Sequence, residues 1–144
     1  MSARWIDLLD PTSEELLAVL PAGVDPDVVN VLGAPPEDER TRPLLEGHGA
    51  YVLGVFLDAV PVPDEDRVVY RELDVVATPS LVITVRKTPA DGRPWDPAPL
   101  ETPAASGASV GELLFRLVDD VAESFLDVVD AGLRTTGPGT WPSP

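Results

Sequence analysis

The sequence predicts an α+β or three-layer α/β domain in which a mixed, largely antiparallel sheet is flanked by helices. Three observations predict it. Four strand-like segments rich in Val, Leu, Ile, Tyr and Phe crowd between Leu44 and Arg86 with only short links, which makes them antiparallel neighbours, because a parallel return needs a crossover of about a dozen residues or more. Two short helix patterns follow an isolated apolar run near the N-terminus. A long amphipathic pattern closes the chain from Val110 to Leu133.

Trp5-Ile6-Asp7-Leu8-Leu9 reads as a strand ended by Asp10-Pro11. Thr12 or Ser13 then offers an N-cap, with Glu14 and Glu15 in the first turn, where the helix dipole favours negative charge, and Leu16, Leu17, Val19 and Leu20 as the apolar face. Pro21 and Gly23 stop that helix. A second is expected from Asp25 to Leu32, with Asp25 as cap and Pro26 at the first helical position, where its missing N–H is harmless. Ala34 to Pro43 holds no apolar side chain larger than alanine or proline and reads as an exposed loop. The four strand segments are Leu44 to Glu46, Ala50 to Leu57, Arg67 to Ala77 and Ser80 to Arg86, with turns at Val60 to Asp66 and at Thr78-Pro79.

Thr88 to Ser106, with five prolines around Trp95, reads as a surface linker rather than an element. Ser109 caps the last helix. Its expected buried stripe is Leu114, Leu117, Val118, Val121, Phe125, Val128 and Val129, and Asp119, Asp120, Glu123, Asp127 and Asp130 fall on the opposite side. The domain is expected to span residues 1–134, followed by a Pro/Gly-rich tail over 135–144 with no means of packing. No internal repeat is visible.

The 144 residues are 44% hydrophobic and 24% charged, which argues for a folded chain despite 17 prolines. Charge is the outlier: 25 Asp and Glu against 10 Lys and Arg give −15, with one lysine, Lys87, and one histidine, His48. Such a surface repels phosphate backbones and anionic lipid headgroups, so nucleic acid and acidic membranes are poor partners, while cations and basic partners remain. The absence of cysteine excludes a disulfide scaffold, a thiol nucleophile and cysteine metal sites, in keeping with a cytosolic setting. Asp7 interrupts the N-terminus before a signal sequence can develop. The longest runs without a charged side chain, Gly47 to Leu57 and Val75 to Val85, are 11 residues each, and ~20 are needed to span a bilayer.

Catalytic motifs are missing. Any Ser, His and acid arrangement must use His48, which lies between two glycines and reads as a turn residue, and no serine sits in a Gly-x-Ser-x-Gly elbow. Neither phosphate-cradling glycine loop is present, so no nucleotide or other organic cofactor is expected, and an enzyme is the least supported class. Hard divalent cations suit the composition better, since Mg²⁺ takes oxygen ligands and accepts one or two carboxylates plus waters. Asp64-Glu65-Asp66 lacks EF-hand spacing and reads as a turn. The acidic stripe of the last helix would face water in a lone domain and a cation or a basic neighbour in an assembly.

Four stretches in order resemble the cytoplasmic N-terminal domain of CorA-type magnesium and cobalt transporters. Trp5-Ile6-Asp7-Leu8 with Pro11 to Leu16 is similar to the family's Trp-Ile-Asp/Asn strand and following helix. Asp25 to Val29, Arg42-Pro43-Leu44-Leu45-Glu46 and Tyr51-Val52-Leu53 resemble its His-Pro-Leu helix, its Arg-Pro-Lys-x-Glu segment and the next strand. Asp74 to Val85 looks like the hairpin whose second strand reads Phe-Leu-Ile-Thr-Val-His, and Gly111 to Val121 like the start of the helix leading toward the stalk. The match covers about Trp5 to Leu133.

The resemblance implies an α/β/α sandwich, a non-enzymatic regulatory and assembly role in divalent-cation transport, a place at the cytoplasmic face of the membrane, and a pentameric parent. The isolated domain is expected to be monomeric or weakly associated. The family's Gly-Met-Asn loop, membrane helices and stalk are absent from these residues, so membrane attachment would come only through segments outside them. The family's acidic Glu-Asp pair, which contributes a regulatory Mg²⁺ site, is replaced here by Asn30 and Val31. The candidate ligands for a weak regulatory Mg²⁺ are Asp119, Glu123, Asp127 and Asp130, with Glu37, Asp38 and Glu39 second. The alternative expectation is a stand-alone soluble binding or interaction protein that keeps the fold without transport.

Overall fold

In the computed structural model, residues 1–36, 43–90 and 92–132 are described. The β-branched and aromatic segments pair into one five-stranded sheet of order β1-β5-β4-β3-β2. β3 (Val52–Val62) and β4 (Arg67–Ala77) form an antiparallel hairpin paired over its full length, β2 (Leu44–Gly47) adds antiparallel to one end of β3, and β5 (Leu81–Arg86) returns antiparallel along β4. β1 (Arg4–Leu9) lies parallel to β5, from Arg4 opposite Leu81 to Leu9 opposite Arg86. The expected mixed, mostly antiparallel sheet is therefore present.

Strand alternation sends side chains to two cores, one on each side of the sheet. On one side Leu53, Val76, Ile83 and Val85 pack with Leu16 of α1 (Ser13–Val19) and with Val28 and Leu32 of α2 (Pro26–Gly33). On the other side Leu73, Val75 and Val82 pack with Trp95, with Leu100 of α3 (Ala98–Ala105), and with Leu113, Leu117 and Val121 of α4 (Val110–Ala131). The result is a helix, sheet, helix sandwich. Thr12 caps α1 through a reciprocal pair with Glu15, and Asp25 caps α2 with Pro26 at its start, as their residue types dictate.

Two expectations about the chain path are corrected. The turn expected from Val60 begins later: β3 continues through Pro61 and Val62, and the reversal is a single 3-10 turn at Pro63–Glu65 closed by Asp66 at φ 48°. β2 pairs with β3 only as far as Val55, so Pro61 lies on a stretch where β3 has a free edge and a missing N–H is tolerated. The Thr88 to Ser106 segment is more than a linker. Trp95 and Leu100 are fully buried, and α3 forms because Pro99 occupies its first turn, where no backbone donor is needed. The expected tail lies outside the described residues, as does Leu133.

Candidate functional site

α4 is the longest helix among the described residues, and both of its ends are built to hold it. Ser109 accepts from the Glu112 N–H at 3.2 Å, and Gly132 ends the helix in the left-handed conformation at φ 66°. Its inner face is Leu113, Leu117, Val121, Ser124 and Val128. This differs from the expected stripe: Leu117, Val121 and Val128 face inward, whereas Val118, Phe125 and Val129 are exposed and Leu114 is only half-buried. The reason is polar. Ser124 and Asp120 take inward positions because partners wait for them there.

Trp95 Nε1 donates to Asp120 Oδ2 at 2.7 Å, which ties the loop before α3 to the helix and withdraws Asp120 from the exposed acidic set. Ser124 Oγ donates to the Val121 carbonyl at 2.6 Å and accepts the Ala59 N–H at 2.9 Å. That contact closes part of the β3 edge beyond β2, so a serine does here what an apolar residue could not. Beneath them Arg71 pairs with buried Asp58, Nε to Oδ2 at 2.7 Å, and Arg86 pairs with Asp7, Nη2 to Oδ2 at 2.8 Å. Burial pushes the Asp58 carboxyl up, and Arg71 opposes the rise.

The remaining acids of α4 are outside. Asp119, Glu123, Asp127 and Asp130 are all exposed, at steps of four, four and three, so each neighbouring pair is about one turn apart. Among the described residues none of these four takes part in an ion pair. Nor do the described residues contain a group of three or more His, Asp or Glu side chains close enough to hold one metal ion. Glu37, Asp38 and Glu39 lie outside the described residues. At the positions of the family's acidic pair, Asn30 is exposed and Val31 offers only its carbonyl, which accepts from Lys87 Nζ at 2.7 Å.

That lysine marks the cluster sequence reasoning missed. The chain's one lysine is 3% exposed, with Nζ 2.6 Å from Glu72 Oε2 and 3.0 Å from Asp74 Oδ2. Glu72 and Asp74 are two residues apart on β4 and so face the same side, under α1 and α2. Lys87 meets Asp74 as an ion pair, and both buried Asp74 oxygens are left without a hydrogen-bond partner among the described residues. Burial pushes the Asp74 carboxyl up to about 8, the neighbouring Glu72 adds to the rise, and Lys87 opposes it. The signal was present: a single lysine follows an apolar strand whose neighbour in the sheet carries two acids at alternate positions. His48 is half-buried, stacks on Tyr51 with ring centroids 4.8 Å apart, and lies 3.3 Å from Glu46 Oε1.

By sequence, no protein-family model and no curated protein matches the chain. Its fold is shared. The full-length CmaX protein superposes with a TM-score of 0.62 at 22% identity, over 89% of this chain and 38% of that one. The cytoplasmic domain of ZntB from Vibrio parahaemolyticus RIMD 2210633 gives a TM-score of 0.60 at 13% identity over 90% of this chain. The soluble domain of CorA from Methanocaldococcus jannaschii gives 0.58 at 17% identity over 88% of this chain.

The fold is that of the ZntB cytoplasmic domain and the CorA soluble domain. This chain spans 53% of that ZntB domain and 49% of that CorA soluble domain, about half of each. No described helix is long and apolar enough to cross a membrane. The α/β/α sandwich of the CorA-like domain is thus present, with α1 and α2 on one face and α3 and α4 on the other.

Proposed function

We propose that this chain serves as a cytoplasmic regulatory and assembly domain of a CorA-like divalent-cation transporter, carrying Mg²⁺ or Co²⁺ at the cell membrane, and that it is not an enzyme. The observation that carries the reading is the shared fold over 88–90% of the chain with the ZntB and CorA domains. In the complete CorA magnesium transporter from Methanocaldococcus jannaschii the matched part makes up 39% of the chain, so there the same fold is one portion of a transport protein.

The proposed mechanism is electrostatic. Most of the described cations are occupied inside or beside the sheet, at Arg67, Arg71, Arg86 and Lys87, and this leaves Arg116 as the one basic residue of α4 against its exposed carboxylates. Copies of such a domain gathered in an oligomer repel one another. Mg²⁺ held loosely by Asp119, Glu123, Asp127 and Asp130, with Glu37, Asp38 and Glu39 as secondary ligands, reduces that repulsion and favours the closed assembly. Exposed charges about a Debye length apart, ~8 Å at physiological salt, are the ones this screening reaches.

Thermal unfolding of the chain in increasing Mg²⁺ tests the proposal. Stabilisation at ~10 mM beyond that from monovalent salt of equal ionic strength supports it, and an equal response to both salts overturns specific binding. A second reading, a stand-alone binding protein with this fold, is favoured by the apolar surface that α4 leaves uncovered.

A further inference from the structure

The outer surface of α4 is two surfaces side by side. Successive residues of a helix turn by about 100°, which places Leu114, Val118, Phe125 and Val129 in one row and Phe115, Ala122 and Leu126 in the next. The row after that is acidic, Glu112, Asp119, Glu123 and Asp130, with Asp127 behind it and Arg116 as the one cation among them. Phe115 is 68% exposed, Leu126 61% and Val129 73%, and Val118 and Phe125 are also open to solvent. From Phe115 to Val129 the strip runs for about 21 Å, or four turns. Among the described residues, Phe125 alone of this strip has an aromatic neighbour, Tyr70, with ring centroids 6.5 Å apart. Scattered exposed leucines need no explanation, but a continuous strip of two phenylalanines, a leucine and two valines on one helix marks an interaction surface.

The charge beside the strip decides what covers it. We infer that this face of α4 is a docking site for a basic amphipathic helix, whose apolar seam lies on Val118, Phe125, Leu126 and Val129 and whose lysines or arginines meet Asp119, Glu123, Asp127 and Asp130. A second copy of this chain is the wrong occupant, because packing the strip on itself brings two acidic rows together in a protein of net charge −15. An anionic membrane is repelled for the same reason. A basic helix satisfies both rows at once, as apolar contact gives the affinity and charge fixes the register. The inference does not depend on whether the domain serves a transporter.

The test uses the full chain and a synthetic peptide of roughly 18 residues with leucines along one helical face and lysines elsewhere, which matches the length of the strip. Binding is read by fluorescence anisotropy at low salt, beside a control peptide with glutamate for every lysine. The lysine peptide should bind, the glutamate peptide should not, and Leu126→Asp should weaken binding by about tenfold or more. The combined Asp119→Asn, Glu123→Gln, Asp127→Asn and Asp130→Asn variant should weaken it by a similar factor and flatten its salt dependence. Leu17→Asp, at an exposed leucine on α1, should change nothing. Equal binding by wild type and a folded Leu126→Asp variant overturns the inference. So does a wild-type dimer that Leu126→Asp converts to monomer in sedimentation, or adsorption to neutral phosphatidylcholine vesicles that the same change abolishes.

Discussion

The carboxylates beneath α1 and α2 and those on the outside of α4 come from one acid-rich composition and behave in opposite ways. Glu72 and Asp74 are buried against a single ammonium, in a setting where desolvation dominates and one of the two acids is driven to stay protonated. Asp119, Glu123, Asp127 and Asp130 sit in water with no ion-pair partner among the described residues. The difference teaches how the charge is used. Arg71, Arg86 and Lys87 are spent on acids within the sheet layers, while the acidic row outside α4 has no ion-pair partner among the described residues. The inner cluster is structural, and the outer row is the part available to a cation or a basic partner.

The largest effect that can break this contrast is at the lysine. Lys87→Met leaves Glu72 and Asp74 buried without their ammonium and should destabilise the fold by about 3–5 kcal/mol in urea unfolding at neutral pH. A loss below about 1 kcal/mol, the level of an exposed pair, would erase the distinction between the two regions.

Asp74 comes next, and its sign can be worked out. Its folded value, about 8, exceeds the ordinary 3.8, so between those values the folded state binds more protons than the unfolded chain. Stability should therefore fall as pH rises through that window, by at most about 1.4 kcal/mol per pH unit from this group. Asp74→Asn, which mimics the protonated acid, should flatten the slope and raise the melting temperature at the alkaline end. An unchanged slope would mean that Asp74 is ionised throughout.

Ser124→Ala sharpens the view of the inner face of α4. It removes the acceptor for the buried Ala59 N–H and should cost about 1–3 kcal/mol. The smallest effect is expected outside: Leu126→Asp and the combined four-acid neutralisation of α4 should each change stability by within roughly 0.5 kcal/mol. A large loss from either would show that the outer surface supports the fold.

The sandwich was readable from residues because its signals are local. The Thr12 and Asp25 caps, the Val-rich strands and the 3.6-residue period of α4 each specify their own element. What was misread depends on distant partners. Ser124 and Asp120 belong inside α4 only because Ala59 and Trp95 meet them, and the hydrophobic pattern alone assigns those positions to solvent. Pro61 is acceptable in a strand only because β2 has ended beside it. The Lys87 cluster joins residues from β4, the end of β5 and α2, a juxtaposition that periodicity does not display. The exposed acids of the site were legible as a stripe. Their apolar neighbours Val118, Phe125 and Val129 read as core from the sequence, because a helix with two apolar faces reads like one with a single broad face.

Amide chemical shifts of the ¹⁵N-labelled chain, compared between MgCl₂ and NaCl at equal ionic strength, test most directly the claim that the excess charge acts through the outside of α4. The account predicts Mg²⁺-specific shifts concentrated at Asp119, Glu123, Asp127, Asp130 and their neighbours, with the amides of Glu72, Asp74 and Lys87 unmoved. Shifts that are the same in both salts, or that centre on Asp64 to Asp66, would contradict it.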